Sequence, residues 1–361
     1  MFLKNKIKLA LFCIFICNSL LAQLPAIEIV EQGRKTSIRG LCVVTNDIVW
    51  VSGSGGSVGK SINGGKTWSW MTVPGYEKTD FRDIEAFDEN TAIIMGITQP
   101  AVVLKTKDGG NTWKKVYEDT ANEAFFDAMD FTIKDKDTAG ILIGDPVDGL
   151  FYHVFSSNAG DNWMPRNTQN KPSLQFLKDG EAFFASSGTN IAWLPINEKD
   201  FTESSAIAFL VSGGTTSKMY PIPLNPNKSY PLNLLQGKQS TGANSIAVHA
   251  KSRKGMIVGG DFSNDSIVSG NATMFSFDKK NSTVKFYQPI NPPHGYRSCV
   301  IFIDEKQLIT CGTSGVDISK DSGMNWTLLS KESFHVVQKA KKGTAVFLAG
   351  GRGRIGKLQV D

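Results

Sequence analysis

Ser61-Ile62-Asn63-Gly64-Gly65-Lys66-Thr67-Trp68 is a phrase that returns three times in the chain. It comes back as Thr106-Lys107-Asp108-Gly109-Gly110-Asn111-Thr112-Trp113, as Ser156-Ser157-Asn158-Ala159-Gly160-Asp161-Asn162-Trp163 and as Ser319-Lys320-Asp321-Ser322-Gly323-Met324-Asn325-Trp326. The shared pattern is Ser/Thr-x-Asp/Asn-x-Gly-x-Thr/Asn-Trp. An Asp or Asn side chain accepts hydrogen bonds from N–H groups just ahead of it and holds a tight turn. The glycine takes the positive φ that the turn needs, and the tryptophan opens the returning strand and packs between strands. Each copy therefore reads as a β-hairpin turn with an aromatic lock. Because the hairpin uses every side chain in the phrase, it is read as a structural turn rather than a ligand or metal site.

Working outward, each of the first three copies closes a unit of four short strands. The copies begin at residues 61, 106 and 156, so they are 45 and then 50 residues apart. Four strands per repeat at a period in the forties predicts a β-propeller. The fourth copy begins 163 residues later, at 319, which leaves room for two blades without the phrase, at about 181–230 and 245–287. A seventh blade, residues 334–360, supplies only three strands. Residues 27–30 (Ile-Glu-Ile-Val) are its natural fourth and close the ring. The expectation is an all-β chain, a single propeller over 23–361, of seven four-stranded blades, with six and eight as the alternative counts.

Residues 1–22 read as a signal peptide: Lys4, Lys6 and Lys8, an apolar run, then Ala22 before the cut. The remainder is then exported, periplasmic or secreted, with no transmembrane segment. Its charge falls from +5 to +2, since 36 basic residues face 34 acidic ones once the three leader lysines are gone. That near-neutral balance gives no basic face for nucleic acid. Residues 54–61 approach a phosphate-binding loop but carry Ser54 where the first glycine is required, and a hairpin follows instead of a helix. No cofactor is expected, and the four histidines are too scattered for a metal site. Cys299 and Cys311 fall opposite each other across a hairpin that turns at residues 304–306, either bonded or as two buried thiols.

In a propeller the innermost strand of each blade begins on one face, where the second strand ends; the repeated turns lie on the other. This rule brings Arg39, Arg82, Asp127, Arg297 and His335 from first strands, with Asp145 and Asp261 from loops after second strands, to one channel mouth. Guanidinium groups gathered there suit a carboxylate or phosphate, unless Asp127, Asp145 and Asp261 neutralise them. The candidate binding residues are thus Arg39, Arg82, Arg297, Asp127, Asp145 and Asp261.

The repeated phrase resembles the Asp-box, or bacterial neuraminidase repeat. Sialidases share that repeat, the propeller and an arginine triad, and Phe81-Arg82-Asp83-Ile84 is similar to their Phe/Tyr-Arg-Ile-Pro motif with Asp83-Ile84 in place of Ile-Pro. No Tyr–Glu nucleophile pair accompanies it, so a sialidase-like glycoside hydrolase is the alternative reading. A closer resemblance, over nearly the whole mature chain, is to the photosystem II stability/assembly factor family, carried by Arg82-Asp83, Gly144-Asp145-Pro146, Gly259-Gly260-Asp261 and Tyr296-Arg297-Ser298. That resemblance implies a non-catalytic platform with an arginine patch, carried onto Arg39, Arg82 and Arg297, for a protein partner or an anionic carbohydrate or carboxylate.

Overall fold

A computed structural model of the chain describes residues 25–359, apart from 122, 135–136, 148, 166–176, 195–207, 223–227, 250 and 279–282. The leader expected at residues 1–22 lies outside the described residues. The described chain is built of strands, and one 3-10 turn, Gly351–Gly353, is its only helical element.

The strands form seven sheets, the blades of a propeller. Blade 1 is Ile38–Val43, Val49–Gly53, Ser57–Ser61 and Ser69–Thr72. Blade 2 is Phe81–Ala86, Ala92–Gly96, Ala101–Thr106 and Lys114–Asp119. Blade 3 is Phe126–Lys134, Asp137–Val147, Leu150–Ser156 and Met164–Pro165. Blade 4 is Ile191–Trp193, Ala208–Val211, Lys218–Ile222 and Tyr230–Pro231, and blade 5 is Thr241–His249, Lys254–Asp261, Ala272–Asp278 and Thr283–Tyr287. Blade 6 is Cys299–Phe302, Leu308–Gly312, Gly315–Ser319 and Trp326–Ser330. Blade 7 takes Val336–Lys339, Val346–Ala349 and Ile355–Gln359 from the end of the chain and Ala26–Glu31 from its start, with Ala26 opposite Gln359 and Ile29 opposite Gly356. The ring therefore closes through the N-terminal strand.

Middle strands such as Ala92–Gly96 and Ala101–Thr106 are buried from end to end, whereas the outer strand Lys114–Asp119 is not. A short, wholly apolar run is what a strand covered on both faces requires. The core lies between blades: Ile93, Met95 and Val103 of blade 2 meet Phe126, Met129 and Leu142 of blade 3.

The expected extent of blade 4 needs correction. Glu181–Ala182 and Gly213–Gly214 pair with each other and then onto Gly242, extending the sheet of blade 5 to six strands. Bare backbone permits the approach, since a Cβ on Gly242 would stand 2.3 Å from the Cα of Gly213.

All four repeated turns have one geometry. The N–H of Gly65, Gly110, Gly160 and Gly323 donates to the hydroxyl four residues back at 2.9, 3.0, 2.9 and 3.0 Å. The Oδ1 of Asn63, Asp108, Asn158 and Asp321 accepts the N–H of the residue four ahead at 2.9, 2.9, 3.0 and 2.9 Å. At Asp108 these bonds, above all from the Thr112 hydroxyl, hold the carboxyl down at about 2. Trp163 and Trp326 are buried as expected, but Trp68 and Trp113 are only half-buried. Each turn places two consecutive residues at positive φ, and in two copies the first is not glycine: Ala159 at 54° and Ser322 at 63°. A Cβ there costs roughly 1–2 kcal/mol. Ala159→Gly and Ser322→Gly are therefore each expected to stabilise by about 0.5–1 kcal/mol, after the looser unfolded chain is counted; the midpoint of urea unfolding checks it.

Neighbouring blades are tied through these turns. Lys357 of blade 7, Lys60 of blade 1 and Lys105 of blade 2 each donate through Nζ to the first positive-φ carbonyl of the next blade's turn: Gly64 at 3.1, Gly109 at 3.0 and Ala159 at 2.7 Å. Each ammonium also lies near an aromatic ring, of Phe347, Trp50 and Phe87 respectively. Cys299 and Cys311 do pair directly across the blade 6 hairpin, as buried free thiols.

Candidate binding site at the upper channel mouth

The face on which inner strands begin is called upper, and the face of the repeated turns lower. Arg39 is a single extra residue in its strand: Ile38 pairs with Gly53 and Gly40 with Ser52. The same β-bulge recurs at Arg82, at Asp127 and at Asn244 of blade 5. A bulge leaves its residue out of the ladder and re-aims its side chain. In blade 7, His335 donates its N–H to Ala349 (2.8 Å), which also pairs with Val336; in blade 6, Ser298 donates to Cys311 (2.8 Å), which also pairs with Cys299.

The bulge residues meet a segment that no sequence pattern announced. Residues 183–190 run through the channel centre. The Nη1 of Arg39 donates to the carbonyl of Ser186 at 3.0 Å and that of Arg82 to Ala185 at 3.4 Å. Asn244 Oδ1 accepts from the hydroxyls of Ser186 at 3.0 Å and Tyr296 at 2.9 Å. Ser187 donates to the carbonyl of Ser298 at 2.7 Å, and Thr189 to the hydroxyl of Ser245 at 2.8 Å. Gly188, at φ +68°, is pressed so close to blade 2 that a Cβ would lie 2.3 Å from the carboxyl carbon of Asp83. Blades 1, 2, 5 and 6 hold the plug through these contacts, and blades 3 and 4 add the bonds of Phe183 N–H to Asp145 and of Val211 N–H to the Asn190 carbonyl.

Arg39 and Arg82 stand side by side. Burial, and then the charge of Arg82, lower the pKa of Arg39. Burial and both arginines push His335 down to about 3, so that it is neutral at physiological pH. Its Nε2 lies 3.2 Å from the Ser37 hydroxyl. Arg82 is paired with Asp80 through Nε at 2.9 Å, an acid that the positional rule did not select.

The three expected acids do not neutralise these arginines. Asp127 is fully buried, and burial, reinforced by Asp145, raises its pKa well above the carboxylate range against the pull of Arg82. Asp145 is raised to about 6 by burial, while its Oδ1 accepts the N–H of Phe183 at 3.1 Å. At Asp261, burial favours the neutral form, but hydrogen bonds from the Ser240 hydroxyl and the N–H groups of Ser263 and Asn264 hold its pKa low.

The expected position of Arg297 also needs correction. Its side chain is 0% exposed and does not reach the mouth. It lies inside blade 6, ion-paired with Asp317, while Nη1 donates to the carbonyl of Tyr296 at 2.7 Å and the hydroxyl of Ser314 at 2.6 Å. The bulge position in that blade is Ser298. Side chains alternate along extended backbone, so a shift of one residue sends Arg297 to the opposite side.

The molecule is thus a seven-bladed β-propeller whose upper mouth carries a ring of bulge residues around an internal plug. Residues 30–122 match the family model described as photosynthesis system II assembly factor YCF48. No curated protein matches the chain. Among solved structures, YCF48 bound to D1 peptide shares 14% identity and a TM-score of 0.57, covering 94% of this chain and 100% of that one. YCF48 from Cyanidioschyzon merolae shares 16% and 0.58 over 92% and 98%. The Neurospora crassa Pan2 WD40 domain shares 11% and 0.56 over 90% and 89%. The chain is therefore a propeller like that of the photosystem II assembly factor, as its sequence resemblance implied. At these identities the structural likeness is one of fold, and a fold hosts many functions. Among the described residues, no group of three or more His, Cys, Asp or Glu is placed to hold a metal ion, and no helix is long and apolar enough to cross a membrane.

Proposed function

We propose that this chain is an exported, non-catalytic binding platform that holds a protein partner by an anionic group at Arg39 and Arg82. The observation that carries the reading is the state of Arg39. Among the described residues it makes one side-chain hydrogen bond, to the carbonyl of Ser186, and no ion pair. Beside it stands a second guanidinium, and the nearest acids other than Asp80 are buried with raised pKa values. A half-buried guanidinium with spare donors and no ion pair of its own suits a carboxylate from outside. The D1 peptide bound to YCF48 supports a peptide partner as the occupant. The glycosidase alternative has less support, because it needs two carboxyl groups about 5 Å apart beside the substrate, and the channel centre is taken up by the plug. Export rests on the sequence of residues 1–22.

The test is fluorescence polarisation with a pool of labelled Asp/Glu-rich decapeptides. Hydrogen bonds to charged groups are worth about 1.5–3 kcal/mol, so Arg39→Gln should weaken binding about 10- to 100-fold. Arg39→Gln with Arg82→Gln should abolish it, with the melting temperature nearly unchanged. Equal binding by the wild type and the double variant would reject the reading.

A further inference from the structure

The plug divides the channel. Below Gly188 and Thr189 lies a cavity of about 310 Å3, to which all seven inner strands contribute. We infer that this lower cavity is a second binding site, separate from Arg39 and Arg82, for a small zwitterion: an α-amino acid with an apolar side chain.

Its volume is at the low end of small-ligand sites, about 300–1,000 Å3, and its polar groups come in both signs. Glu85 is ion-paired with Lys341, whose side chain is 45% exposed and stands at the rim. Asp130 accepts the N–H groups of Phe131 at 2.8 Å and Trp193 at 3.3 Å, which leaves lone pairs on both oxygens. Lys339 donates to the carbonyl of Ile303 at 2.6 Å and makes no ion pair among the described residues, with the Asp304 carboxylate acting on it through space. The wall between them is apolar, with Met129, Ile246, Val300 and Phe302.

A simple cation entering here would meet two lysines, and a simple anion would meet Glu85 and Asp130. A neutral apolar molecule would strip water from four ionisable groups and return nothing. A ligand with an ammonium for Asp130 and a carboxylate for Lys339 and Lys341 answers each charge with its opposite. Its side chain lies against the apolar wall.

Asp130 adds a signature. Burial, then Glu85, raises its carboxyl to about 7, against the opposing charge of Lys341. The other groups facing it are Asp83, itself raised by burial, Lys339, and the Cys42 thiol, pushed up to about 12 and hence uncharged. Blades 5 and 6 present apolar residues only. A ligand ammonium would draw Asp130 into its ionised form, so binding at pH 7 releases a proton.

Isothermal titration calorimetry of the full chain tests this with L-leucine, 4-methylpentanoate, which lacks the ammonium, and isopentylamine, which lacks the carboxylate. Leucine should bind saturably, with each single-charge analogue at least tenfold weaker. The heat should vary with buffer ionisation enthalpy in the sense of proton release. Asp130→Asn should lose at least tenfold in affinity and the proton release with it. The absence of saturable binding by leucine, valine, methionine and phenylalanine would overturn the proposal. So would equal binding of the single-charge analogues, a readout that needs no variant to fold.

Discussion

Arg297→Ala is expected to destabilise the propeller by about 3–5 kcal/mol, the cost of breaking a buried ion pair from one side. The truncation leaves Asp317 fully buried with its charge unanswered, held only by His294 Nδ1 at 2.5 Å and the N–H of His294 at 3.3 Å. It also frees the Ser314 hydroxyl and the carbonyl of Tyr296 that the guanidinium now satisfies. The combination Arg297→Met with Asp317→Leu should recover most of the loss, because two apolar side chains leave no buried charge. Chemical denaturation of the three proteins checks both parts. Stability unchanged in Arg297→Ala would mean that the buried pair does not bind blade 6 together. The contrast with Arg39→Gln, expected to spare stability, separates two arginines that the sequence treated alike.

Removal of residues 25–31 should lower stability by several kcal/mol and make the protein self-associate. Ile27, Ile29 and Val30 pack on the cluster that holds Phe347, Leu348 and Ile355, and full burial of such side chains contributes about 1.5–3 kcal/mol each. Their loss also uncovers the edge of Ile355–Gln359, and an unpaired edge is a template for another chain. Melting temperature and light scattering give the two readouts. A truncated protein that stays monomeric with an unaltered melting temperature would show that the last blade stands on three strands.

What could be read from sequence was what the chain satisfies locally. Ser61, Asn63, Gly65 and Thr67 complete one another's hydrogen bonds within seven residues, so the turn, its repeats and the blade count follow from short stretches. The strand-start rule found Arg39, Arg82, Asp127 and His335 because each sits at a bulge or its equivalent. It missed Ser298 by one residue, since neither apolar pattern nor spacing marks where a bulge falls. Asp80 was missed because it belongs to the approach to a strand rather than the strand itself. The plug left no strand-like period: Ala185-Ser186-Ser187-Gly188-Thr189-Asn190 is a run of small residues, and Arg39, Asp83 and Ser298, its partners, lie about a hundred or more residues away. The blade expected at about 181–230 therefore took in these six residues, and only the structure separates them from it.

The N-terminal strand also gives the molecule a polarity. Ala26 pairs with Gln359 and Glu31 with Ile355, so the chain enters the propeller on the lower face, at the rim. A six-residue strand spans roughly 20 Å. Anything joined ahead of residue 26 thus departs on the far side of the disc from Arg39 and Arg82. Held from that end, the propeller would turn its guanidinium mouth outward and its amino-acid cavity toward the point of attachment.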